Sequence, residues 1–101
     1  MVSEQTKKKQ ITPKVKERVW ERDNHRCIYC GSPEAAPEAH FIARSQGGLG
    51  VEENILTLCR RCHERYDKTL KRPEMHEFFK SYLQEIYSDW NEKELIYHKG
   101  M

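Results

Sequence analysis

Four cysteines in two close pairs are the residues of this sequence best suited to binding a metal. Both pairs have Cys-x-x-Cys spacing, and together they hold every cysteine of the chain: Cys27, Cys30, Cys59 and Cys62. A two-residue spacer lets both thiolates of a pair reach one ion about 2.3 Å away, and four thiolates are typical ligands of structural zinc. The 28 residues between the pairs must then fold back on themselves. The spacing therefore predicts a zinc site that stabilises the domain.

A redox role is the alternative for a Cys-x-x-Cys pair. That role needs only one pair and a thioredoxin-like βαβ pattern, which this sequence lacks. No apolar segment follows the lysines near the N-terminus, so we recognise no secretory signal there. No apolar run approaches the roughly 20 residues that cross a bilayer. We therefore expect a cytoplasmic protein, in a reducing compartment that favours metal thiolates over disulfides.

Two histidines and one aspartate are placed to hydrolyse a phosphodiester. Hydrolysis needs a base that activates water, and a divalent cation can neutralise the phosphate and stabilise the leaving oxygen. His40 is a candidate base, because an imidazole titrates near neutral pH. His63 and Asp67 are four residues apart, so on a helix they share one face and offer two ligands to a cation.

The segment that carries these groups predicts a hairpin followed by a helix. Residues 39–43 and 55–58 have the composition of short strands, and a glycine-rich loop separates them. This loop is too long for a tight turn, so the hairpin should be wide and irregular. A helix is expected from Cys59 to about Leu70. His40 would lie on the first strand, and His63 on the first turn of the helix.

Helices are predicted on both sides of this unit. Thr12-Pro13 predicts a helix start, with an N-cap residue followed by proline at the first helical position. Apolar residues recur at helical spacing from Met75 to Trp90, which predicts a packing helix over about 73–90. The predicted fold class is α+β. Residues 1–11 are expected to be a mobile basic tail, and residues 12–101 a single domain.

Residues 18–67 resemble the HNH endonuclease family. The matching motifs are Arg22-Asp23, Cys27-x-x-Cys30-Gly31, His40 followed by Gly47-Gly48, Glu53-Asn54-Ile55, and Leu58-Cys59-x-x-Cys62-His63. The resemblance implies a ββα-metal fold with its core at about residues 18–70. It also implies that His40 is the general base and that Asn54 fastens the hairpin and orients this base. His63 would be a ligand of the catalytic ion.

One position departs from the family pattern. The family usually has Asp or His immediately before the general base, as a second metal ligand, whereas this chain has Ala39. On a regular strand Glu38 points to the same face as His40. Glu38, Asp67 or water is therefore expected to complete the coordination of the catalytic ion. The sequence leaves open whether this ion is Mg²⁺, Mn²⁺, Ni²⁺ or Zn²⁺.

Basic side chains around the site are expected to hold DNA phosphates without reading bases. These candidates are Arg44, Arg60, Arg61, Arg65, Lys16 and Arg18. The formal net charge of +2 is too small to require a nucleic-acid partner by itself. The resemblance adds a context, because small members of the family occur beside phage packaging genes. It therefore implies a role in phage DNA processing, with a terminase or another packaging protein as partner.

The sequence thus predicts a metal-dependent endonuclease that nicks or cuts DNA. Two alternatives stay open at this point. One is a non-catalytic, zinc-stabilised module that binds nucleic acid, which Ala39 favours. The other is a protein-interaction module that uses the apolar stripe from Met75 to Trp90.

Overall fold

The computed structural model describes residues 4–68, 70 and 72–98. Parts of the predicted tail (1–3) and of the predicted domain (69, 71 and 99–101) lie outside the described residues. In chain order the elements are α1 (Glu4–Lys9), α2 (Pro13–Arg22), β1 (Ala35–His40), β2 (Ile55–Cys59), α3 (Arg60–Lys68) and α4 (Arg72–Ile86). The two strands form an antiparallel sheet, and α3 follows β2 directly. The predicted α+β class and the ββα order are therefore confirmed.

The first strand lies earlier in the chain than predicted. The sequence placed it at 39–43, whereas β1 spans Ala35–His40. The strand includes Pro37, which lies at an irregularity in the strand pairing, where no ladder hydrogen bond is required of it. Beyond His40 the backbone leaves the ladder and bonds to Asn54 instead.

α2 begins as its cap predicts. The Thr12 hydroxyl accepts a hydrogen bond from the Val15 N–H at 3.2 Å, and Pro13 is the first helical residue. At the other end of α2, Arg22 and Asp23 form a buried ion pair, with the Nε and Oδ1 atoms 2.7 Å apart. The Asp23 carboxylate also accepts hydrogen bonds from the Thr57 N–H and the Tyr82 hydroxyl. This carboxylate therefore joins α2, β2 and α4.

The apolar stripe of α4 belongs to the core. Met75, Phe79 and Leu83 are fully buried, so these three side chains of the stripe pack into the core, whereas Phe78 and Ile86 are exposed. The helix ends at Ile86 rather than near residue 90. Trp90 still faces the interior, because a turn brings its indole N–H to the Glu53 carbonyl at 2.9 Å. The periodic pattern therefore continued past the last helical residue.

The N-terminal segment differs from its prediction in the part that the structure describes. Residues expected to form a mobile tail include α1, and the Gly50 N–H donates a hydrogen bond to the Lys8 carbonyl at 2.9 Å. This contact could not be predicted from residue types, because it is a hydrogen bond between backbone atoms of Gly50 and Lys8. Among the described residues, no helix is both long enough and apolar enough to span a bilayer.

Candidate functional site

The four cysteine sulfurs converge at one end of the ββα unit. All four Sγ atoms lie within 4.8 Å of one another, and those of Cys30 and Cys59 are 3.5 Å apart. Sulfurs bound to one tetrahedral ion at about 2.3 Å must lie about this close together. In the part of the chain that the structure describes, this is the single group of three or more ligand side chains that meets so closely. The predicted metal site is confirmed as an arrangement that can hold an ion.

Local backbone geometry shapes each cysteine pair. The Cys30 N–H donates to Cys27 Sγ at 3.5 Å, and the Cys62 N–H donates to Cys59 Sγ at 3.4 Å. After the first pair, Gly31 has a φ of 82°, which favours glycine because it lies in the left-handed region. Both pairs thus form the same compact turn, one after a loop and one at the start of α3.

The electrostatics of these thiols favour a bound cation. Burial opposes ionisation of Cys27, but backbone N–H groups stabilise its thiolate and lower its pKa to about 7. Burial and the neighbouring thiols raise the pKa of Cys62. Four adjacent thiolates repel one another, so a divalent cation is the group that would let all of them ionise together.

A polar cleft of about 930 Å³ is lined in part by His40, which lies at the opposite end of the sheet from the pair of Ala35 and Cys59. Its charged and titratable lining consists of Lys16, Glu38, His40, Arg44, His63, Asp67 and Arg72. β1 contributes Glu38 and His40, and α3 contributes His63 and Asp67. The structure therefore brings the predicted base and the predicted ligands of the catalytic ion to one cleft.

His40 is half-buried, and its protonation can be assigned from one contact. Its Nε2 atom lies 2.9 Å from the Lys9 carbonyl oxygen. A carbonyl only accepts hydrogen bonds, so Nε2 carries the proton and the neutral ring has its lone pair on Nδ1. Burial lowers the pKa of His40, and the Lys9 carbonyl opposes this shift only in part. The ring is therefore neutral near pH 7, as a general base must be.

His63 and Asp67 contact each other, whereas Glu38 is engaged elsewhere. His63 Nε2 lies 3.2 Å from Asp67 Oδ2, which is the spacing expected of neighbours on one helix face. Glu38 Oε1 instead lies 3.2 Å from Lys16 Nζ. Ala39 is 1% exposed and pairs with Leu56, so the family's usual ligand position is inside the core and offers no donor.

Asn54 is fully buried and ties both ends of the loop between the strands together. Its side-chain oxygen accepts a hydrogen bond from the Ile42 N–H at 2.8 Å. Its amide donates to the carbonyls of Ile42 at 3.2 Å and Leu49 at 2.8 Å. Because Ile42 lies two residues after His40, these bonds fix the backbone just beyond the candidate base.

The predicted basic residues do not all reach the cleft. Arg44 and Lys16 line it, but Arg18 lies in a separate groove, where it pairs with Glu52 at 3.8 Å. The remaining predicted contacts, Arg60, Arg61 and Arg65, are exposed residues of α3 that do not line the cleft.

Sequence reasoning missed Arg72, which lines the cleft. Its guanidinium lies 4.2 Å from the centroid of the Tyr66 ring, and its Nη1 donates to the Tyr66 carbonyl at 2.9 Å. In the sequence Arg72 is one charge among several before Pro73. No local signal could have identified it, since α3 and α4 bring it to the site together.

Comparisons found similarity to two known proteins and to one protein family. A region of 66 residues is 29% identical to Anaredoxin from a Nostoc species, and the match covers 64% of this chain and 87% of that protein. A region of 53 residues is 34% identical to the CRISPR-associated endonuclease Cas9 of Corynebacterium diphtheriae, covering 48% of this chain but 5% of Cas9. The model of the HNH endonuclease family matches residues 27–79, from the first cysteine to the middle of α4. The match covers just over half of the sequence and includes both cysteine pairs and the cleft residues of β1 and α3, so this chain belongs to the HNH endonuclease family.

Proposed function

We propose that this protein is a metal-dependent endonuclease that hydrolyses phosphodiester bonds in DNA, by nicking or by cutting both strands. The observation that carries the proposal is the shared cleft. His40, a neutral histidine with its lone pair on Nδ1, lines the same cleft as the His63–Asp67 pair. A base on a strand and ion ligands on a helix are the two parts that a minimal phosphodiesterase needs.

In this proposal the predicted site residues have distinct tasks. His40 takes a proton from the attacking water, and Asn54 keeps the backbone that follows it fixed. His63 and Asp67 would hold a divalent cation, which supplies positive charge at the phosphate and the leaving oxygen. The cations that line the cleft contact phosphates on either side of the scissile bond: Lys16, Arg44 and Arg72. None of them is set to read bases, so little sequence preference is expected.

The four cysteines are proposed to hold structural zinc. The support is the donor set: four thiolates with tetrahedral spacing are typical of zinc, although iron also accepts four thiolates. Elemental analysis of purified protein should give about one equivalent of zinc that survives extensive dialysis. Stoichiometric iron, with the visible absorption of iron thiolates, would contradict the assignment and would favour electron transfer.

Plasmid nicking tests the enzymatic activity directly. Wild-type protein stripped of loosely bound ions with EDTA should be inactive, and adding Mg²⁺, Mn²⁺, Ni²⁺ or Zn²⁺ should restore cleavage. His40→Ala should lower the rate by a factor on the order of 10²–10⁴, the usual contribution of a general base. DNA affinity should not change. The matched control is His98→Ala, since His98 is an exposed histidine whose Nε2 bonds the Lys93 carbonyl.

A non-catalytic nucleic-acid-binding module is the second candidate, and one observation favours it. Ala39 is buried in the core, and Glu38 is paired with Lys16, which leaves His63 and Asp67 as the ion's protein ligands. Wild-type protein that binds DNA but cleaves it with none of the four ions would establish this candidate. The role in phage DNA processing and the packaging partner stay predictions of the family resemblance.

A further inference from the structure

The backbone of the N-terminal segment crosses the edge of the cleft. We call residues 7–11 the strap. The Lys8 carbonyl accepts a hydrogen bond from the Gly50 N–H, and the Lys9 carbonyl accepts one from His40 Nε2, both at 2.9 Å. The next two residues, Gln10 and Ile11, line the cleft. The strap therefore contacts both the candidate base and the loop that follows β1.

Gly50 makes room for the strap. A Cβ atom at this position would lie 2.1 Å from the Gln10 carbonyl oxygen, 2.5 Å from the Gln10 carbonyl carbon and 3.0 Å from the Lys9 carbonyl oxygen. These are backbone atoms, which cannot move aside as the end of a flexible side chain does. Gly50 does not have a positive φ, so alanine is compatible with its own backbone conformation. The atoms nearest to a methyl group here would therefore all belong to the strap.

The contact with Lys9 has a chemical consequence for His40. A neutral imidazole has two tautomers, and the nitrogen without the proton is the one that can act as a base. A carbonyl that accepts from Nε2 stabilises the tautomer with its lone pair on Nδ1. It also restrains rotation of the ring.

We propose that the strap is a positioning element for the base. The main-chain carbonyl of Lys9 fixes the tautomer and orientation of His40, and Gly50, which has no side chain, leaves room for the strap. The proposal rests on the proposed nuclease function only for its effect on rate. Its effect on the imidazole is independent of that function. The strap lies outside the region matched by the family model, residues 27–79.

Two variants of this 101-residue chain displace the strap by different routes. Gly50→Ala places a methyl group against the Gln10 and Lys9 carbonyls. Gln10→Pro disfavours the helical conformation of Lys9, the last residue of α1, and so turns its carbonyl away. Gln10 is exposed, so this second variant leaves the core intact even if the first one perturbs the loop. Val51→Ala is the control, because Val51 adjoins Gly50 and is 37% exposed.

The first readout is long-range ¹H–¹⁵N NMR of histidine-labelled protein at about pH 8.5, where imidazoles are neutral. In the wild type and in Val51→Ala, His40 should show a protonated Nε2 and an unprotonated Nδ1. Its signals are assigned from their loss in His40→Ala. Both strap variants should show a mixture of tautomers, with zinc content and melting temperature close to wild type. A wild-type His40 protonated on Nδ1, or strap variants with an unchanged tautomer, would overturn the proposal.

The second readout is cleavage kinetics. Loss of a group that orients a functional histidine typically costs about 10–100-fold, so both strap variants should lose turnover in that range with an unchanged KM for DNA. A mixed tautomer with wild-type turnover, or faster cleavage once the strap moves, would also overturn the proposal. A wild type that never cleaves DNA would defeat the proposed function. In that case the tautomer measurement would still decide whether the strap positions His40.

Discussion

The ββα unit carries ligand side chains at both ends, and the two ends are built differently. At the cysteine end, four identical ligand atoms meet within 4.8 Å, three of them on buried residues. At the cleft end, groups of mixed charge line an open space and meet only in pairs, such as His63 with Asp67 and Lys16 with Glu38. The first arrangement suits an ion that stays bound and stabilises the fold. The second suits an ion that is shared with a substrate, because free coordination positions are needed for water and phosphate.

Cys59→Ser should have the largest effect, because it removes one of the four thiol ligands at the end that is expected to stabilise the fold. Structural zinc binding contributes on the order of 10–16 kcal/mol in small zinc domains, more than a domain of this size has in reserve. We expect loss of bound metal and of the cooperative thermal transition, measured by elemental analysis and circular dichroism. A variant that melts cooperatively with its metal still bound would refute the four-cysteine site. Ser88→Ala, at an exposed turn, is the control and should melt as the wild type does.

Phe79→Ala should come next, because this ring packs between the first cysteine pair and α3. Phe79 is fully buried and contacts the ring of Tyr29 beside the first cysteine pair and that of Tyr66 on α3, with centroid distances of 5.8 and 4.9 Å. Its truncation should lower the free energy of unfolding by about 3–5 kcal/mol, measured by denaturant titration.

The neighbouring residue supplies a matched control for this change. Phe78 is 44% exposed and makes edge contacts with Tyr29 and Phe79, so Phe78→Ala should cost on the order of 1 kcal/mol. Equal losses of stability in the two variants would show that burial does not decide how much each ring contributes. A Phe79→Ala protein with unchanged stability and lost binding to another protein would favour an interaction surface on α4.

His63→Ala should weaken only the cleft end. Losing one protein ligand should raise the metal concentration needed for half-maximal cleavage by about 10–100-fold or more. Added metal should restore part of the activity of His63→Ala but none of that of His40→Ala, since the latter lacks the base rather than the ion. Both variants should keep the melting temperature of the wild type. Equal rescue of the two variants by metal would remove the distinction between ligand and base.

The smallest expected effect concerns the pH dependence of stability near the cleft. Burial lowers the pKa of His76, which stacks on Phe41 with ring centroids 4.2 Å apart. The contribution of neutral His76 to the free energy of unfolding is therefore complete above the ordinary pKa of about 6.5. It is lost as pH falls through the lower pKa that His76 has in the folded protein. His76→Phe keeps a ring on Phe41 and removes the titration. The melting temperature of the wild type should fall more steeply from pH 7 toward pH 5 than that of the variant. Identical slopes would contradict this account.

Prediction from the sequence succeeded where structure depends on close neighbours. The turns around the two cysteine pairs, the Thr12 cap and the pairing of His63 with Asp67 all follow from spacings of two to four residues. Prediction failed where a distant contact decides the local conformation. The first strand was misplaced because residues after His40 bond to Asn54 rather than to a strand partner. The extent of α4 was overestimated because Trp90 keeps facing the core after the helix has ended.

The chemical groups of this protein can be read from its residues: two cysteine pairs, a histidine between them, and a histidine–aspartate pair on one helix face. These are properties of residue type and of short spacing, which a helix or a tight turn converts into geometry directly. Which of these groups share the cleft depends on the packing of distant elements. This packing brought Arg72 in through the stacking of its guanidinium on Tyr66, and it placed Arg18 in another groove beside Glu52. It also brought the Lys9 carbonyl to His40, across 31 positions of sequence. Such contacts depend on how distant elements pack, because backbone atoms and charges carry no pattern that local periodicity can detect.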